Sequence, residues 1–201
     1  GNTKVLVTGS VGGAGNSATT DIGNDDDDFG SAVPIGNGAA VRATGNINTP
    51  GVLNIGTNNQ IFVTDDATLD AVSAVAAVVG FTTTNNNAKA TISAGDGAEI
   101  VNQSGDINIA TRSDGTISAS NTGLTGAIGA GTTQATANNT PTQAINIDGS
   151  QLRGRNIRLW SGLGNDGVPN VLITTAESNM SAMIAGVTVP QARTTTADTN
   201  S

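Results

Sequence analysis

The chain has 201 residues, 36% of them apolar and only 2% aromatic, with a net charge of −8. Such a chain has few large side chains for a broad globular core, and the acidic balance argues against nucleic acid and anionic membrane surfaces, whose phosphates attract Lys and Arg. With no Cys and no His, a disulfide framework, a thiolate metal site and the usual general base are all excluded.

In chain order, Val5 and Val7 alternate with polar neighbours and predict a strand over residues 4–8. Residues 9–24 are rich in Gly and Ser and are expected to form a loop. Four consecutive carboxylates follow: Asp25, Asp26, Asp27 and Asp28. Asp-rich loops supply the oxygen ligands that Ca²⁺ needs, so this run is the candidate metal site and Ca²⁺ the one candidate cofactor. A solvated acidic loop is the competing reading. Residues 71–81 form the longest apolar stretch, too short to cross a membrane as a helix, and the flanking Gly80 and Thr82 favour a strand. The dipeptides Asp96-Gly97, Asp114-Gly115, Asp148-Gly149 and Asp166-Gly167 predict tight turns. Residues 191–201 are polar and Thr-rich, a linker or frayed end. This divides the chain into 1–35 (strand and acidic loop), 36–190 (a repeat-derived β domain) and 191–201.

The division rests on a phrase that recurs. Asn37-Gly38-Ala39-Ala40-Val41 is followed by Gly45-Asn46-Ile47-Asn48. Asp96-Gly97-Ala98-Glu99-Ile100 is followed by Gly105-Asp106-Ile107-Asn108-Ile109. Asp148-Gly149-Ser150-Gln151-Leu152 is followed by Arg155-Asn156-Ile157-Arg158-Leu159. Asp66-Ala67-Thr68-Leu69 reads as a degraded fourth copy. A unit that cannot bury its own apolar face must stack on its neighbours. The expected fold is all-β, a repeat-derived parallel β-solenoid, with Ile100, Ile107, Ile109, Leu152, Ile157 and Leu159 facing inward. A β-sandwich fibre subunit is the alternative.

The phrase resembles the β-solenoid repeats of filamentous-haemagglutinin-like exoproteins, the giant surface adhesins of bacteria. The resemblance covers roughly residues 39–160 and rests on Asp96-Gly97-Ala98-Glu99-Ile100 with Ser104-Gly105-Asp106-Ile107-Asn108-Ile109. It implies a right-handed parallel β-helix, export to the cell surface, and a role in adhesion or matrix.

Among candidate sites, Arg153, Arg155 and Arg158 form a basic cluster beside Trp160, the single Trp. Guanidinium groups with an indole suit a glycan, so Arg153, Arg155 and Trp160 are the glycan-binding candidates. Arginines paired with nearby carboxylates are the competing reading. Few lysines guard the sheet edges, so terminal strands are assembly candidates: Lys4, Val5, Leu6 and Val7 at one end, Ile184, Val187 and Val189 at the other. No catalytic residue is expected. The function expected is structural or adhesive, at an extracellular surface or matrix of a bacterium or archaeon, with copies or neighbouring repeats as partners. The alternatives are a fibre subunit joined by terminal-strand exchange and a carbohydrate-binding β-sandwich module.

Overall fold

The structure, a computed structural model, describes residues 2–23, 29–45, 48–126 and 128–201. Among them there is no helix, and strands make up 78% of them. The long strands are β1 (Asn2–Ile22), β4 (Val52–Asn86), β7 (Asp106–Thr125), β8 (Ile128–Asn139), β12 (Leu172–Ala182) and β13 (Ala185–Thr196). The short ones are β2 (Gly30–Ile35), β3 (Ala40–Ala43), β5 (Lys89–Ala94), β6 (Glu99–Asn102), β9 (Thr142–Asn146), β10 (Gln151–Arg153), β11 (Ile157–Ser161) and β14 (Thr199–Asn200).

Every ladder between these strands is parallel. The sheets are ordered β11-β7-β4-β8-β13, β10-β6-β3 and β14-β9-β5-β2, with β1 joined to β4 and β12 to β7. Partners lie far apart in sequence: Asn2 faces Asp66, and Ile107 faces Ile157. Parallel neighbours require a long crossover, and here the crossovers are themselves strands of the other sheets. The antiparallel ladders of a β-sandwich are absent among the described residues, so that alternative does not hold.

Register brings the repeated phrase together. Val41, Ile100 and Leu152 are direct ladder partners, as are Ala40, Glu99 and Gln151. The turns stack as well: Gly38, Gly97 and Gly149 have φ of 67°, 71° and 68°, a region that glycine enters without strain. The Gly38 N–H donates to Asp96 C=O and the Gly97 N–H to Gly149 C=O, both at 2.9 Å. The second half of the phrase behaves differently. Ile107 and Ile109 pair with Ile157 and Leu159 on one side and with Leu53 and Ile55 on the other, while Asn46 and Ile47 of the first copy lie outside the described residues. The first copy carries extra residues between β3 and β4 that sequence spacing alone hides. Asp66-Ala67-Thr68-Leu69 is no copy of the turn: it lies within β4, beside Asn2–Val5 and Ser120–Gly123.

Three further expectations are corrected, those for residues 9–22, Asp114-Gly115 and the 191–201 linker or frayed end. Residues 9–22, expected as a loop, continue β1, because pairing with β4 gives their backbone a ladder that outweighs the weak strand preference of Gly and Ser. Asp114-Gly115 lies inside β7 and makes no turn. Residues 71–81 are strand, within β4, and residues 191–196 complete β13.

The interior is narrow and layered. Ile92, Ile100, Ile107 and Ile109 are fully buried, each contributing about 1.5–3 kcal/mol. Their partners in the last layer are more open: Leu152 is half-buried, while Ile157 and Leu159 are 42% and 44% exposed. Inward position is thus not the same as burial at the end of a stack. Elsewhere the interior is filled by Ala, Thr and Asn. Asn86 and Asn139, both fully buried, stack side chain on side chain, Asn86 Nδ2 donating to Asn139 Oδ1 at 2.9 Å. Asn139 Nδ2 donates on to Gly115 C=O at 2.8 Å, and Asn86 Oδ1 accepts from the Ala88 N–H at 3.2 Å. A glycine suits position 115, since a Cβ there would lie 2.5 Å from Asn139 Oδ1.

Two outcomes are expected in urea unfolding. Asn139→Ala strands the buried Asn86 amide, and should cost about 1–3 kcal/mol. Ile100→Ala opens a hole between Val41 and Leu152 and should cost about 2–5 kcal/mol. A loss below about 0.5 kcal/mol in both, the size of a neutral surface change, would contradict this packing.

Candidate binding surface

The basic cluster divides between two places. Arg155 and Arg158 converge on Asp106: Arg155 Nε lies 3.1 Å from Oδ1 and Arg158 Nη1 3.3 Å from Oδ2. Asn156 Nδ2 donates to the same Oδ1 at 2.9 Å. The Asn156 hydrogen bond is the chief cause that holds the Asp106 carboxyl below its usual value; partial burial opposes it, and Arg155 and Arg158 add to it. Arg155, expected as a glycan ligand, is therefore engaged by a carboxylate, as the competing reading had it.

Arg153 stands apart on β10, donating to Gln151 Oε1 at 2.7 Å. In the same row, across Val101, lies Arg42, which pairs with Glu99 at 2.7 Å. Trp160, on β11, is half-buried and pairs in register with Ala110, which pairs in turn with Gly56. In-register partners share a face of their sheet. Gly56, Ala110 and Trp160 thus form one row that carries almost no side chain until its last member.

Beside this row the chain makes an excursion that sequence reasoning did not find. It runs from Ser161 to Leu172 while its partner strand β7 advances only from Thr111 to Gly115, and the surplus forms a small hairpin over 162–170. The arms meet at the isolated antiparallel bridge Leu163–Pro169. Gly162 N–H donates to Thr111 C=O at 2.9 Å and Asn170 N–H to Gly162 C=O at 3.0 Å. Asn170 Oδ1 accepts from the Ser113 N–H at 2.9 Å, and its Nδ2 donates to Asp198 at 3.0 Å. Between the hairpin and the sheet lies a cavity of about 410 Å³, bordered by Gly56, Asn58, Ala110, Arg112, Asn165 and Asp166. Arg112 forms a two-pronged pair with Asp114, at 2.9 and 3.1 Å. The one sequence signal was Asp166-Gly167, a turn dipeptide whose glycine does take φ 76°; that the turn folds back over Gly56 was not legible from it.

The assembly candidates occupy the two edges of one ladder. Lys4, Val5, Leu6 and Val7 lie on β1, paired with Thr68–Ala71 of β4. Val187 and Val189 lie on β13, paired with β8, and Ile184 is in the bend just before it, 82% exposed. The order β1-β4-β8-β13 puts the two groups on opposite edges, and in register Val187 lies level with Gly13 rather than with Val5. Asp25, Asp26, Asp27 and Asp28 lie outside the described residues. The chain runs from Ile22 to Gly30 while its partner runs only from Asn86 to Lys89, so this pass is longer there than the next. No group of three or more acidic residues able to hold a metal occurs among the described residues. Comparison with family models, curated proteins and solved structures returned no match.

The Asp106 cluster has a pH signature. Its carboxylate favours the folded state above the ordinary value of about 3.9, and that contribution is lost as pH falls through the lowered folded value. NMR titration should place the Asp106 midpoint below that of an exposed Asp. Asp106→Asn should remove this component from the acid limb of stability, and an unshifted midpoint would contradict the cluster.

Proposed function

We propose that this chain is a segment of an extracellular structural and adhesive protein of a bacterial or archaeal surface or matrix, folded as a parallel β-solenoid of the filamentous-haemagglutinin-like kind. The observation that carries the reading is the register: three copies of one phrase stack turn on turn and strand on strand. Each full pass of the chain, as from Asn2 to Asp66 or from Ile107 to Ile157, would add one strand spacing, about 4.8 Å, to the length of the stack. A chain so extravagant in residues per unit length builds breadth of surface rather than an enclosed pocket. A non-catalytic role is supported by the two glutamates: Glu99 is paired with Arg42, while Glu177, on another strand, accepts from Asn179. Immunogold labelling of intact, unpermeabilised source cells tests the reading. Label at the exterior is expected; label confined to the cell interior would overturn it.

The alternative, a self-polymerising fibre subunit, draws support from the opposite placement of β1 and β13. Against it, β13 and β14 form a fourth layer while β10 and β11 belong to the third. A copy seated on β13 would face β10 and β11 across a gap of one strand, about 4.8 Å. Further layers of the same repeat would fill that gap, so stacking within a longer array is the favoured arrangement. Lysines at Ile157 and Leu159 test any end-to-end contact, since buried charge blocks an edge. The double variant should stay folded and show less self-association by sedimentation. Assembly identical to the parent would rule out contact through this end.

A further inference from the structure

We infer that the groove beneath the 162–170 hairpin is a binding site for a neutral saccharide. Four observations lead there. First, the hairpin departs from the stacked strands, and it is pinned at its base by hydrogen bonds to Thr111 and Ser113. Excursions held rigidly by a scaffold are where binding residues concentrate. Second, the space is of the right order: about 410 Å³, within the ~300–1,000 Å³ range of small-ligand pockets.

Third, the groove exists because Gly56 has no side chain. A Cβ there would lie 2.5 Å from Asn165 Nδ2, so any larger residue would push the hairpin away. Ala110, beside it in the row, adds only a methyl group to the floor. Fourth, the polar groups match a ring of hydroxyls. Asn58, Asn165 and Asp166 present planar amides and a carboxylate, and each sugar hydroxyl can both donate and accept. Asn165 Oδ1 is buried without a hydrogen-bond partner. Buried polar atoms of this kind call for a partner from a bound molecule or water.

Charge decides the class of sugar. The Arg112 guanidinium is already matched by Asp114, which leaves Asp166 as the surplus charge at the groove. A uronate, sialate or sulfate would meet a carboxylate there, so the site selects an uncharged ring. The inference rests on the surface-protein reading only for the source of the sugar. A protein found at the cell exterior that binds no saccharide would sink this site and leave that reading standing.

The test is titration of the folded protein with lactose, cellobiose, mannobiose and N,N′-diacetylchitobiose, with sialyllactose and digalacturonate as charged probes. Trp160 is the single indole and pairs with Ala110 of the groove floor, so its fluorescence reports occupancy beside saturation-transfer NMR. At least one neutral probe should bind with Kd on the order of 1 mM. Asn165→Ala and Asp166→Ala should each weaken it about tenfold, that is ~1.4 kcal/mol. Asn58→Ala, outside the hairpin, should do the same with an unchanged melting temperature, and decides the matter if the hairpin variants lose their fold. No saturation transfer from any neutral probe at about 10 mM would overturn the proposal, well above the affinity expected. So would binding that survives Asn58→Ala, or a preference for the charged sugars.

Discussion

Parallel pairing at a nearly constant sequence offset is the constraint on which the rest of this structure depends. Once Val41 is set on Ile100 and Ile100 on Leu152, the backbone N–H and C=O groups of a middle layer are satisfied by the layers on either side. Each side chain then lies over its counterpart one strand spacing away. Like residues stack on like: isoleucine on isoleucine at 107 and 157, asparagine on asparagine at 86 and 139, glycine turn on glycine turn at 38, 97 and 149. A one-residue slip in any ladder would turn the apolar row outward. Length variation is therefore expelled to the corners, between β1 and β2, between β3 and β4, and between β11 and β12.

That arrangement explains a composition poor in large apolar groups. A thin interior needs side chains that fit between closely opposed sheets, and Ala, Thr, Asn and Ile meet that need where Phe and Trp would not. Burying Asn is tolerable because the ladder supplies partners: Asn86 reaches Asn139, and Asn139 reaches the Gly115 carbonyl. Such rows trade hydrophobic gain for directionality, since an amide stacked in register has few ways to satisfy itself out of register. Phe29 and Phe62 are 53% and 74% exposed and add little to this interior.

The same constraint shapes the surface. Cations and anions brought into adjacent layers meet, as Arg155 and Arg158 do at the one carboxylate of Asp106, and the basic patch of the sequence is partly neutralised. What the sheet leaves open is the bare row Gly56–Ala110, and the chain folds a hairpin over it. Regular layers supply the rigid floor and an insertion supplies the wall.

Local pattern was enough to settle the all-β class, the stacking of the Asn/Asp-Gly phrases and the inward direction of Ile100, Ile107 and Ile109. Alternation sets the face, and glycine at positive φ sets the turn. It was not enough to show that residues 9–22 are strand, that Asp114-Gly115 runs straight, or that Leu53 and Ile55 continue the rows of Ile107 and Ile109. Each of those turns on which distant segment lies alongside, and a partner as remote as Asp66 is from Asn2 leaves no mark in local propensity. The groove was hidden for the same reason. Gly56, Arg112 and Asn165 are ordinary residues in the chain, and become a site only because two passes of strand and one insertion bring them to the same place.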